Sequence, residues 1–166
     1  MFIIDNLIEE HGSVRRIELI CDYLVKNINT VSPHIILRVA KLIRNFIQNH
    51  HEKSEEKIVF SKLIDSMPRI ILPLTAQHKH GKQLITTVLQ TPDDKRVVAS
   101  ALSQFSKMYN AHGTYEDTIA YPAFRKLVKG QEDKYQEEED EEKSVMDAII
   151  ATEEELGISI ERYTNE

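Results

Sequence analysis

Tryptophan is absent from this 166-residue chain, cysteine occurs once, and glycine and proline occur five times each. A single thiol, Cys21, can form no intrachain disulfide and no multi-thiolate zinc or iron–sulfur site. So few helix breakers leave long stretches free to coil. Basic residues are the minority: 21 Lys and Arg against 27 Asp and Glu give a net charge of −6. That balance argues against a nucleic-acid binder, which needs a basic face. No apolar run reaches the roughly 18 residues of a membrane span. The opening MFIIDNLIEEHG carries acids where a signal peptide would carry a basic region. These absences lead us to expect a soluble, cytoplasmic protein, monomeric or homodimeric, with neither nucleic-acid nor membrane partners.

What is present is helical. Hydrophobic residues make up 41% of the chain, too many for disorder. The length suits one domain with a small appendage. Ile4, Leu7, Ile8, His11 and Val14 recur at helical spacing in a first segment, Ile3 to about Asn29. NINTVSP interrupts it, with Ser32 as cap and Pro33 at a first helical position. The second segment runs from Pro33 to about Ile64 with the stripe Ile36, Val39, Ala40, Ile43, Ile47, His51, Glu55, Ile58. The third covers Arg69 to Leu89, and Pro73 predicts a kink or a start only near Leu74. TPDD at 91–94 reads as a turn capped by Thr91. The fourth reaches about Lys129 with the stripe Val98, Ala101, Phe105, Met108, His112, Glu116, Ile119. Pro122 predicts a kink or an end there, and Gly130 closes it. The fold class expected is all-α, an up-and-down four-helix bundle over 1–130. An acidic, solvated linker (131–143) and a short amphipathic C-terminal helix with tail (144–166) follow, the helix packed on or near the bundle.

Four long helices with short connections lie antiparallel, which permits a test of levels. His11 lies about 19 residues before the first turn and His51 about 20 after it, so at 1.5 Å per residue both stand about 30 Å from that turn. The next fold-back brings His78 near the level of His51, and His112 follows less tidily. Each rod thus offers one imidazole from its apolar stripe. Two of them are followed four residues later by an acid, His51 by Glu55 and His112 by Glu116, pointing the same way. A buried carboxylate without a partner is very unfavourable, and metal ions supply the missing positive charge. A lone imidazole on an apolar face is usually a satisfied core residue; one per rod, with two acids in phase, is a different matter.

Other metal patterns fail. No residue three before any of the seven histidines is Glu, so the ferritin-type Glu-x-x-His motif is missing. His-Glu-x-x-His is missing too, because position 55 is Glu. Cys21 falls mid-helix and reads as core.

Four runs, LIEEHGSVRRI (7–17), NHHEKSEEKIVF (49–60), QHKHGKQL (77–84) and AHGTYEDTIAYPAFRKLV (111–128), stand in the order of the hemerythrin-like family, the HHE cation-binding domain. EELGI at 154–158 resembles the usual end of such chains. The resemblance implies a four-helix bundle holding two non-haem iron ions bridged by carboxylate and oxo groups, with manganese or zinc as other metals this donor set accommodates. Residue by residue it implies His11, His51, His78 and His112 as imidazole ligands and Glu55 and Glu116 as bridging carboxylates. Glu52 matches an acid that some members use directly after the helix-two His. His78 rather than His80 matches the family's QH; the two are about 200° apart on a helix and cannot both face one site. His50 and His34 are read outside the ligand set. Tyr115 and Tyr121 are near enough for hydrogen bonding to the site, with ordinary packing the favoured reading.

One departure bears on function. Oxygen-carrying hemerythrins have a second His four residues after the helix-three ligand, and here that residue is Lys82. One ion then has an open position or takes a carboxylate such as Glu52. The expectation is a binding or sensing module responding to oxygen, nitric oxide or iron and redox state. The alternatives are a di-iron enzyme acting on peroxide or oxygen, and a metal-free helical interaction protein.

Overall fold

The computed structural model describes residues 1–137 and 142–158. Among them the chain forms four long helical rods and a fifth, shorter helix, with no strand. Helix α1 is Ile3–Lys26. Rod α2 (33–63) begins as Pro33–Leu42, widens to π-helix at Ile43–His51, returns to α at Glu52–Ser54, widens again at Glu55–Phe60 and ends at Ser61–Leu63. Helix α3 is Pro68–Gln90. Rod α4 (95–127) joins Lys95–Tyr115, a π-helical turn at Glu116–Ala120, and Tyr121–Leu127. Helix α5 is Glu142–Leu156. Rod α1 packs on α2 and α4, and α3 on the same two, giving the expected up-and-down ring; α5 lies across α1 and α2.

The caps follow the sequence with one exception. Ser32 Oγ accepts from the Ile35 N–H at 3.4 Å. At the third turn the cap is Asp94, whose Oδ1 accepts from the Val97 N–H at 3.2 Å; Thr91 instead ends α3. Gly130, with φ +84°, ends α4 in the left-handed region that glycine enters without cost. Helix α3 starts at Pro68, not near Leu74, because that proline already sits in a first-turn position where its missing N–H costs nothing. Pro73 stays inside the helix. It and Arg69, whose carbonyl it would have engaged, are both exposed, so water can replace that bond. Pro122 likewise does not end α4; it opens the turn after the π-helix.

The core is divided. One apolar cluster includes Val14 and Ile17 of α1, Ile43 and Ile47 of α2, Leu84 and Ile85 of α3, and Leu102 and Phe105 of α4. The other includes Ile4 and Leu7, Val59 and Phe60, Ile71 and Leu74, and Ala120 and Phe124 of the same rods. In every rod the candidate ligands fall between the two clusters, which places them in one polar layer at mid-bundle. Fully burying each such apolar side chain stabilises by roughly 1.5–3 kcal/mol, enough to carry a polar layer between the clusters. Two residues of the expected stripes are on the outside: Ile8 is 42% and Ile119 39% exposed. Ile8 stands a 100° step beyond buried Leu7. The wider π turn carries Ile119 outward while Ala120 is buried.

Residues 131–137, read as solvated linker, lie against the bundle. The Ile3 N–H donates to the Tyr135 carbonyl at 2.8 Å and the Glu137 N–H to that of Met1 at 2.9 Å. The Tyr135 ring meets Phe124 edge-on. The remainder of the acidic run at 138–141, and the tail after residue 158, lie outside the described residues. Helix α5 is fastened by Arg16 to Glu153, by Arg38 to Glu155 and by Ile149 in the first cluster.

Candidate metal centre

The four imidazoles arrive from four different rods, and each is oriented the same way. Nδ1 points outward to an acceptor and Nε2 points inward. His11 Nδ1 is 2.8 Å from Asp117 Oδ1, His51 Nδ1 2.6 Å from Glu10 Oε2, His78 Nδ1 2.9 Å from Glu56 Oε1, and His112 Nδ1 2.7 Å from Gln77 Oε1. Each acceptor stands on the rod before its histidine in one circuit: α1 holds α2, α2 holds α3, α3 holds α4, and α4 holds α1. Carboxylate and amide oxygens only accept, so each Nδ1 carries a proton, and each inward Nε2 is the atom that can offer a lone pair to a cation in place of its own proton. Such outer bonds fix tautomer and ring angle and strengthen the imidazole as a donor.

Inside, the carboxylates divide their oxygens between imidazoles. Glu55 Oε1 is 3.4 Å from His51 Nε2, and its Oε2 is 3.2 Å from His78 Nε2. Glu116 Oε1 is 3.5 Å from His11 Nε2 and 3.2 Å from His112 Nε2. Two four-donor groups result: His11, His51, Glu55 and Glu116, and His78, His112, Glu55 and Glu116. In each, the ligating atoms all lie within 4.8 Å of one another. Glu55 and Glu116 belong to both. A third group joins Glu52 to His78 and Glu56. All seven residues expected from the sequence are buried in the layer, six of them at no more than 1% exposure and His11 at 4%.

Whether cations fit can be judged from what the protein leaves unsatisfied. His51 Nε2, Glu52 Oε2, Glu55 Oε2 and both oxygens of Glu116 are buried without a hydrogen bond. An unsatisfied buried polar atom typically costs about 1–3 kcal/mol, more when charged. His78 Nε2 faces His112 Nε2 at 3.0 Å, a contact that needs a proton or a cation between the two nitrogens. Positive charge is what the layer calls for. Burial alone would depress the His11 and His78 imidazoliums, yet the surrounding acids raise both to about 10. Burial alone would raise Glu10, yet hydrogen bonds from His50 and His51 hold it at about 2. The donor set, the shared acids and the orphaned atoms all fit a pair of cations.

The structure also separates the secondary candidates. His80 is exposed, as its angle requires. His50 is 2.8 Å from Glu10 Oε1 through Nε2 and so supports the acid that holds His51. Tyr115 is 42% exposed. Tyr121, for which packing was the favoured reading, is fully buried. Its hydroxyl donates to Glu55 and lies 3.2 Å from His11 Nε2. Tyr109, missed from the sequence, donates to Glu52 Oε1 at 2.8 Å. Lys82 Nζ stands 4.0 Å from Glu52 Oε2, so the residue in the place of a fifth imidazole faces that acid.

A helical bundle with histidines and shared acids at mid-height defines a class of cation-binding proteins. Comparison with known families gives the particular one: residues 3–124 match the hemerythrin HHE cation-binding domain, and the chain belongs to that family. Uncharacterised proteins of Mycobacterium bovis and of two Mycobacterium tuberculosis strains are each 30% identical over 178 residues, covering 93% of this chain and 70% of the relative. No solved structure matches. Among the described residues no helix is long and apolar enough to cross a membrane.

Proposed function

We propose that this chain binds two iron ions in its mid-bundle layer and serves as a binding or sensing module for oxygen, nitric oxide or redox state. The observation that carries this reading is the pair of four-donor groups sharing Glu55 and Glu116. His11 and His51 would hold one ion and His78 and His112 the other, with Glu52 as further donor beside His78. When bound, such a pair supplies one-electron redox change and a Lewis-acidic position for a small ligand. Mixed imidazole and carboxylate donors suit iron, and manganese or zinc are its competitors.

The remaining parts of the layer support the same reading. The outer bonds hold four imidazoles at fixed angles, and the two apolar clusters keep water from the layer. The cavity touching His11 has a volume of ≈ 10 Å³, the lower limit for a single water. The single buried thiol, Cys21, suits a reducing compartment such as the cytoplasm. A second reading, turnover of peroxide or oxygen, is favoured by the Tyr121 and Tyr109 hydroxyls aimed at Glu55 and Glu52. These are protic groups within the layer.

Metal analysis with absorption spectroscopy on aerobically prepared protein tests the proposal. About two irons per chain and near-ultraviolet charge-transfer bands support it. A colourless chain that stays empty after anaerobic iron reconstitution overturns it. Consumption of hydrogen peroxide by loaded protein, lost in a folded Glu116→Ala variant, would select the enzymatic reading.

A further inference from the structure

We propose that cations reach the buried layer through the groove between α1 and α4, past Glu18 and over Gly113 to His11. This rests on the metal-centre reading above. Of the seven candidate ligands His11 is the most exposed, at 4%, so the layer comes nearest to solvent on its side. Two adjoining spaces lie there. An outer groove of ≈ 700 Å³ is bordered by Glu18, Asp22, Ser106 and Asn110. An inner cavity of ≈ 10 Å³ is bordered by Glu18, Asn110, Gly113 and His11. Arg15, Glu18 and Asn110 line both, so the two spaces adjoin.

The lining suits a hard cation shedding its water. Glu18 is only 6% exposed, and its Oε2 accepts a single long bond of 3.4 Å from Asn110 Nδ2. Asp22 and Ser106, joined at 2.7 Å, add oxygens further out. Oxygen atoms are what such ions prefer while they change partners. The narrow end is open because residue 113 has no side chain. A Cβ there would stand 3.9 Å from His11 Cε1, so alanine is accommodated, whereas the branches of leucine would occupy the space over the ring. Lys107 borders the outer groove and opposes cation approach; Arg15 borders both spaces, and its guanidinium is drawn toward Asp117 at 3.5 Å.

Ferrous ion uptake under anaerobic conditions at pH 8 tests the route, because the Glu18 carboxyl, lifted to about 7 by burial, is ionised there. Free ion is trapped at set times by a coloured chelator. Glu18→Gln should slow uptake on the order of tenfold at low salt, as loss of a steering charge does. Gly113→Leu should slow it at any salt, Gly113→Ala should not, and Lys107→Gln should speed it. All four variants should reach the wild-type metal content, since none alters a candidate ligand. Equal uptake rates in wild type, Glu18→Gln and Gly113→Leu would overturn the route while leaving the centre intact. So would a lowered final metal content in Glu18→Gln, which would make Glu18 part of the site itself. A wild-type chain that takes up no cation overturns both.

Discussion

Replacing Glu116 by glutamine distinguishes a shared acid from an ordinary buried one. The change keeps the shape of a fully buried side chain and removes the charge that both donor groups use. A cation that binds only the folded state, present at 1,000 times its Kd, stabilises that state by about 4.1 kcal/mol. For a chain of this size each kcal/mol moves Tm by about 2–4 °C, so iron should raise the wild-type Tm by roughly 8–16 °C. Each variant is compared with its own metal-free Tm in thermal scans followed by circular dichroism, and metal is counted in parallel. Glu116→Gln should lose most of that rise and fall below one ion per chain. His78→Ala strikes only one four-donor group and should keep about one ion with part of the rise. A Glu116→Gln protein that holds two ions and shows the full wild-type rise would refute the sharing on which the centre depends.

Three further outcomes are expected. Tyr121→Phe removes a buried donor to Glu55 and should cost about 1–3 kcal/mol in urea titration, with a shifted absorption band in the iron-loaded protein; an unchanged spectrum would put the hydroxyl outside the centre's influence. Burial raises Glu18 to about 7 from 4.5, so the folded state binds a proton more tightly than the unfolded chain; its stabilising contribution is full below pH 4.5 and is lost as pH rises to 7. Urea midpoints between pH 5 and pH 8 should therefore fall less in Glu18→Gln than in wild type. Arg16→Ala cuts the tie from α1 to Glu153 and should loosen α5 at a cost of about 1 kcal/mol, seen as faster amide exchange in residues 145–156 and unchanged exchange in α3.

Helical period made the rods legible and, together with the family resemblance, picked out the candidate ligands. One imidazole stood on each apolar stripe, and His51 with Glu55 and His112 with Glu116 kept the four-residue spacing that turns both side chains inward. Regular geometry was the limit of that reading. Glu55 and Glu116 each open a π-helical turn, and such turns, frequent at functional sites, shift every residue after them; Ile119 was misplaced for that reason. The acceptors behind the imidazoles were hidden differently. Glu10, Glu56, Gln77 and Asp117 each sit next to a ligand in sequence, yet each serves a histidine of another rod. A polar residue one step from a core ligand points about 100° away, toward the neighbouring helix. That signal was available but needed the order of the rods to be used. Tyr109 lies three residues before His112 on the same stripe, and nothing in its spacing separates a hydrogen-bonding phenol from an ordinary core ring.

The outer bonds to the imidazoles form a closed loop, and a closed loop has no end at which to begin unravelling. If α2 tilts, Glu56 lets go of His78 while His51 is pulled from Glu10, so α1 and α3 are disturbed together and α4 follows through them. A cation that turned one of these rings would therefore pull on acceptors in more than one rod. Four separate ties would yield one at a time, whereas each tie in this collar is shared with the next rod.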